Sequence, residues 1–180
     1  MADGAKVGVC PVAQGRYGRA ERGEQDSEFE ERVVNVNRSS KVVKGGRNFH
    51  FSALIVVGNR KGQVGVGFGK ANEVADAIRK GGELARKAIV TIPMSGATLT
   101  HAVSARFRGG KVIMRPASEG TGIIAGGGMR AVLELGGVKD VLAKSLGSAN
   151  PLNVVKATMK GISLLRTREE ILDKRDISTL

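Results

Sequence analysis

Two apolar-rich runs near the front of the chain, RVVNVNRSSKVV and NFHFSALIVVG, are dense in β-branched and aromatic residues and flank the polar tetrapeptide KGGR. The pattern predicts a β-hairpin with Gly45 and Gly46 supplying the turn. After a second turn signal, GNRKG, the run QVGVGFG gives a third strand. Its glycines alternate, so Gly65, Gly67 and Gly69 share one strand face. That face is nearly bare backbone and suits a closely packed helix or a closely approaching partner. A helix is expected over about 73–89 with Asn72 as its N-cap. Val74, Ala77, Ile78, Gly81, Ala85 and Ala88 recur at helical spacing and form its buried stripe. Arg79, Lys80, Arg86 and Lys87 repeat at seven and form a solvated charged face.

The pattern then restarts. LTHAVSARF and KVIMRP flank RGG and read as a second hairpin, beginning near Leu99. A short helix is expected over about 127–135, closed by Gly136 and Gly137, followed by a strand in DVLAKSLG. Asn150 and Pro151 make an N-cap with proline at the first helical position. The helix they open, over about 151–166, has an apolar stripe of Val154, Val155, Thr158, Met159, Ile162 and Leu165. Residues 1–27 show no periodicity and read as a flexible basic arm, whose Arg16, Arg19 and Arg22 could lie on RNA. The expected organisation is this arm, a first domain over 28–95, a second over 96–167, and a charged tail over 168–180 that adds a turn or two of helix. The fold class is α/β (α+β): a three-stranded sheet with one helix, then a second small α/β unit.

Composition narrows the partners. Of 180 residues, 41% are hydrophobic but only 3% aromatic, so the core must be built from Val, Ile, Leu and Ala. Lys and Arg number 29 against 17 Asp and Glu, a net charge of +12 and a pI near 10.4. Such an excess is the footprint of a polyanionic partner. No apolar run approaches the roughly 20 residues of a membrane-spanning helix, and no signal-peptide core is present. Cys10 is the only cysteine, which excludes an intramolecular disulfide and a cysteine metal cluster. A cytoplasmic, reduced setting is expected.

One motif argues for an enzyme. Gly120-Thr121-Gly122-Ile123-Ile124-Ala125 spells G-x-G-x-x-A, the dinucleotide fingerprint, with Asp140 about 20 residues on. However, Asp140 precedes the second strand instead of ending it, and the residues after it are too few for a second nucleotide-binding half. GFGK is no Walker loop, because positions 64 and 71 are Val64 and Ala71 where Gly and Ser or Thr are required. His50 and His101 are the only histidines, each in a predicted strand with no acid nearby in sequence. His50 shares its strand face with Ser52 and reads as facing solvent or RNA. No catalytic residue, cofactor or metal site is expected.

The distribution of charge is more telling. From Arg32 to Asn72 stand Arg32, Arg38, Lys41, Lys44, Arg47, Arg60, Lys61 and Lys70, without a single Asp or Glu. A solvated surface normally mixes signs. The cations gather at the two loop tips, where Lys44 and Arg47 flank the glycine turn and Arg60 and Lys61 cap the next. Phe49, Phe51 and Phe107 are expected in the core, leaving few rings for stacking on bare bases. Backbone and shape recognition of folded RNA fits better.

At these residues the chain resembles a known family. The segment from VNRSSKVVKGGRNFHF to ANEVADAIRKG, and that from IPMSGATLTHAV through PASEGTGIIAGG to GSANPLNVVKATMKGISLL, are similar to the two domains of bacterial small-subunit ribosomal protein five. The resemblance covers about residues 30–175. It implies a first domain like double-stranded-RNA-binding modules, a second that is an α/β sandwich, and a structural rather than catalytic role. It also implies contact with small-subunit ribosomal RNA where messenger RNA enters and is decoded, with ribosomal proteins four and eight as neighbours and an influence on decoding accuracy. The expected RNA contacts are Arg38, Lys41, Lys44, Gly45, Gly46, Arg47, Arg60 and Lys61 in the first domain. In the second they are Arg108 and Lys111 at the RGG hairpin and Gly120, Thr121 and Gly122, in a tight strand-to-helix turn. A free-standing RNA-binding or RNA-remodelling factor is the alternative.

Overall fold

The computed structural model describes residues 29–175. The expected basic arm over 1–27 lies outside them, as does the end of the tail. The first sheet has the order β1 (Glu30–Val43), β2 (Gly46–Gly58), β3 (Gln63–Ala71), β4 (Ile89–Thr91), all antiparallel. Three of these strands are the predicted ones. The fourth is a three-residue run after the helix, too short to carry a pattern of its own.

Helix α1 (Val74–Lys87) lies on one face of this sheet, where the glycine alternation takes effect. A Cβ at Gly65, Gly67 or Gly69 would strike the backbone carbonyl oxygens of Ala85, Gly81 and Ala77 respectively. The helix backbone therefore rests on the strand backbone, and the small residues Ala77, Gly81, Gly82 and Ala85 form its buried stripe. Two expectations fail here. The N-cap is Glu73, without a side-chain cap bond, so Asn72 does not cap the helix. Val74 and Ala88 are exposed, because contact this close narrows the buried stripe to its small central residues.

Between the domains come β5 (Met94–Ser95) and β6 (Thr98–Leu99), a miniature hairpin. The second sheet has the order β7 (Val103–Phe107), β8 (Gly110–Pro116), β10 (Val141–Gly147), β9 (Ile123–Ile124). The β9 pairing is parallel and the others antiparallel. Helices α2 (Gly127–Leu135) and α3 (Pro151–Leu164) pack with this sheet, and α4 (Arg168–Lys174) follows. Asn150 caps α3 as expected, accepting from the Leu152 N–H with Pro151 in the first turn. His101, expected in a strand, sits in a bend before β7, its Nδ1 beside Thr100 Oγ1 at 3.1 Å.

The two small domains share one core. Ala53, Ile55 and Val57 of β2 face α1, while Leu54 and Val56 face the second domain and pack in one cluster with Val132, Leu133, Leu135 and Val138. The β2–β3 loop completes the joint. Arg60 N–H donates to the Leu135 carbonyl at 2.8 Å and Gly62 N–H to the Gly136 carbonyl at 3.0 Å. Gly137, at φ +87°, lies against the Arg60 carbonyl, where a Cβ would collide.

Candidate nucleic-acid interface

Beyond the Phe51–Ala71 pair, β3 ends while β1 and β2 continue, so the hairpin projects as a two-stranded ribbon. Every residue from Val36 to His50 is exposed. A free two-stranded ribbon has little stability of its own in water, so this length of strand needs a reason outside the fold. The turn is Lys44–Gly45, between the paired Val43 and Gly46. It sits one residue earlier than the glycine pair suggested. Gly46 opens β2 at φ +144°, a conformation that favours glycine, and neither glycine has a neighbour where a Cβ would stand.

A bulge at Val34 resets the alternation of β1. Beyond it, Arg38 and Arg47 share the α1 side of the ribbon with Phe49 and Val42. Lys41 lies on the opposite side with His50 and Asn48, and Lys44 takes the tip. Both faces and the tip therefore carry positive charge. The Arg38 guanidinium lies 3.7 Å from the centre of the Phe49 ring. Phe49, expected in the core, is instead exposed beneath that arginine, where it fixes the guanidinium plane.

The other expected contacts fall into different settings. Arg60 holds Glu30 through Nε and Nη2 at 3.0 and 2.7 Å and sits at φ +55° in the interdomain joint. Its backbone and its charge thus serve the fold, and periodicity could not show an acid 30 positions earlier. Lys61 is exposed next to it, its N–H bonded to Asn59 Oδ1. Arg108 and Gly109 form the β7–β8 turn, with Arg108 at φ +51° and its guanidinium 5.7 Å from the Phe107 ring centre. Lys111, the second residue of the return strand, is exposed and pairs with Arg106.

The glycine motif proves to be out of phase with a nucleotide site. Strand β9 lies inside the hexapeptide, at its fourth and fifth positions, and α2 starts only at Gly127. The expected tight strand-to-helix turn is therefore a ten-residue connection from Ala117 to Gly126 containing a short strand. Gly122 N–H, which would face a phosphate in a dinucleotide fold, donates instead to Asp140 Oδ1 at 2.8 Å. Thr98 Oγ1 donates to the Asp140 carbonyl and accepts from Ala117 N–H, which ties the first residue of the loop to the start of β10. Thr121 Oγ1 closes the loop on the Ser118 carbonyl at 2.8 Å. Gly120 and Gly122, at φ +85° and +73°, have open space where a Cβ would stand. The acid that looked like a ribose ligand is thus the loop's internal anchor. Asp140→Ala should leave a half-buried amide without its acceptor and lower stability by about 1–3 kcal/mol. Denaturant unfolding should then show an earlier midpoint at unchanged slope; an unmoved midpoint would mean the loop keeps its shape without the carboxylate.

Among the described residues no group of three His, Cys, Asp or Glu is placed to hold a metal ion, and no helix is long and apolar enough to cross a membrane. Residues 29–93 match the family model described as Ribosomal protein S5, N-terminal domain, and residues 105–175 match Ribosomal protein S5, C-terminal domain. The chain belongs to the ribosomal protein S5 family. It is 55% identical over 159 residues to the small ribosomal subunit protein uS5 of Protochlamydia amoebophila, covering 88% of this chain and 95% of that protein. It is 54% identical over 151 residues to uS5 of Chloroflexus aurantiacus, covering 84% and 85%. Like its family, the chain is a structural component of the small ribosomal subunit and not an enzyme, and it works within an assembly of ribosomal RNA and other proteins.

Proposed function

We propose that the chain binds small-subunit ribosomal RNA through the projecting β1–β2 ribbon, close to where messenger RNA enters and is decoded. In this reading it sits beside ribosomal proteins four and eight and supports decoding accuracy. One observation carries the proposal: a ribbon with no core of its own bears Arg38, Lys41, Lys44 and Arg47 on both faces and at its tip, with no acid along it. A ribbon laid on a flat surface would need cations on one face only; cations on both suit insertion between phosphate strands. Gly45 and Gly46 let the backbone come close. Arg108 and Lys111 would supply a second contact and Lys61 a third, while Arg60 acts by holding the β2–β3 loop. Gly120 and Thr121 sit on the rim of their loop. Gly122 shapes that loop, its amide already being satisfied.

Lys44→Ala combined with Arg47→Ala should flatten the salt dependence of binding to a small-subunit RNA fragment by roughly two units in log K against log salt. An unchanged slope would remove the ribbon tip from the interface. Sucrose-gradient sedimentation separates a ribosomal component from a free RNA-binding factor: the former tracks the small subunit stoichiometrically through a moderate salt wash.

A further inference from the structure

The second sheet is covered on one side only. Val103, Ala105, Val112, Met114 and Val141 point towards α2 and α3 and are buried. The other side is met by no described element. Its grid follows from the register: Arg106, Lys111 and Leu146 form one row, Ser104, Ile113 and Lys144 the next, and Arg115, Leu142 and Ile124 the last. Leu142, Leu146 and Ile124 are 42%, 40% and 53% exposed. Arg106, Lys111, Arg115 and Lys144 are exposed too, no acid stands on the face, and none of the four is ion-paired among the described residues.

We infer that this face docks a neighbouring protein whose surface is apolar at its centre and acidic around it. Three considerations select that occupant. Aliphatic side chains gain nothing against phosphates, and the face has no aromatic ring on which a base could stack, so RNA would leave Leu142, Ile124 and Leu146 unused. A second copy of this chain would bring the same four cations face to face, and like charges in contact cost several kcal/mol. An acidic protein surface answers both features at once, since interfaces join an apolar centre to a charged, solvated rim. The ribbon then meets nucleic acid and the centre of this face meets protein, while Lys111, in the row next to the β7–β8 turn, stays with the RNA contact given above. The inference rests on the chain's place in the small subunit.

The test uses assembled small subunits from cells whose copy of this protein carries a benzophenone residue in place of Leu142, an exposed position outside the core. Illumination should give a dominant crosslink to a protein peptide in which Asp and Glu outnumber Lys and Arg. Adding Arg115→Glu and Lys144→Glu should lower its yield about tenfold. Crosslinks confined to RNA, a peptide without acidic excess, a yield indifferent to charge reversal, or no crosslink from a chain that sediments with the subunit would each overturn the inference alone. A chain absent from the subunit would overturn it together with the ribosomal placement.

Discussion

Gly67→Ala should destabilise the chain by about 3 kcal/mol or more, lowering its thermal midpoint by roughly 10 °C. A methyl group is a small addition, and in most strands alanine is tolerated. Here the new Cβ would collide with the Gly81 carbonyl and crowd the Ala85 N–H of α1. Neither obstacle is the end of a flexible side chain, so relief requires the whole helix to rise from the sheet. That motion loosens Ala53, Ile55 and Val57 from Ala77 and Ala85, the entire small cluster on this side of β2. Overpacking ordinarily costs 1–3 kcal/mol, and a collision with backbone belongs at the upper end. Gly45→Ala is the control: it has open space and no left-handed φ, so it should stay within about 0.5 kcal/mol of the parent. Equal melting curves for Gly67→Ala and the parent would show that the helix does not rest on the strand backbone.

The same glycines show what was legible in the sequence. Alternation at 65, 67 and 69 announced a bare strand face, and the facing helix is rich in small residues, so local pattern and tertiary contact agreed. The α3 stripe and the Asn150–Pro151 start were equally plain, because a capping side chain and a 3.6-residue period are local properties. Strands β4 and β9 were not visible, being three and two residues long and made by pairing rather than by pattern. Position 73 takes the cap without a side-chain bond, so nothing in residue type could mark it.

Among the site residues, legibility followed sequence distance. The ribbon's cations lie within ten positions of one another, and their grouping could be read directly. By residue type Arg60 is equivalent to the ribbon's cations, yet Glu30 lies against it; the sequence already shows Asp140 to be wrongly placed for a sugar ligand, but not that it bonds the Gly122 N–H. In both cases the deciding partner is brought in by the fold. Phe49 was misjudged for a related reason. Hydrophobicity alone implies burial, but the strand carrying it runs past the end of its sheet, and its ring meets Arg38 in place of a core.

That overrun makes the ribbon separable from the fold, and the second large effect follows from it. Replacing residues 39–50 with a two-residue Asn-Gly turn joins Arg38 to Phe51, the last pair that a third strand supports. No buried residue is removed, since Val36 to His50 are all exposed. The shortened chain should therefore melt within a few degrees of the parent. It loses Lys41, Lys44 and Arg47 together with the Phe49 ring that orients Arg38, so its salt slope on small-subunit RNA should fall by about two to three units. At moderate salt its affinity should drop by a hundredfold or more. Retained stability with lost binding would assign the ribbon to recognition. Retained binding would move the contact to the second domain's Arg108 and Lys111, and a cooperative loss of folding would mean that the ribbon supports the sheet it projects from.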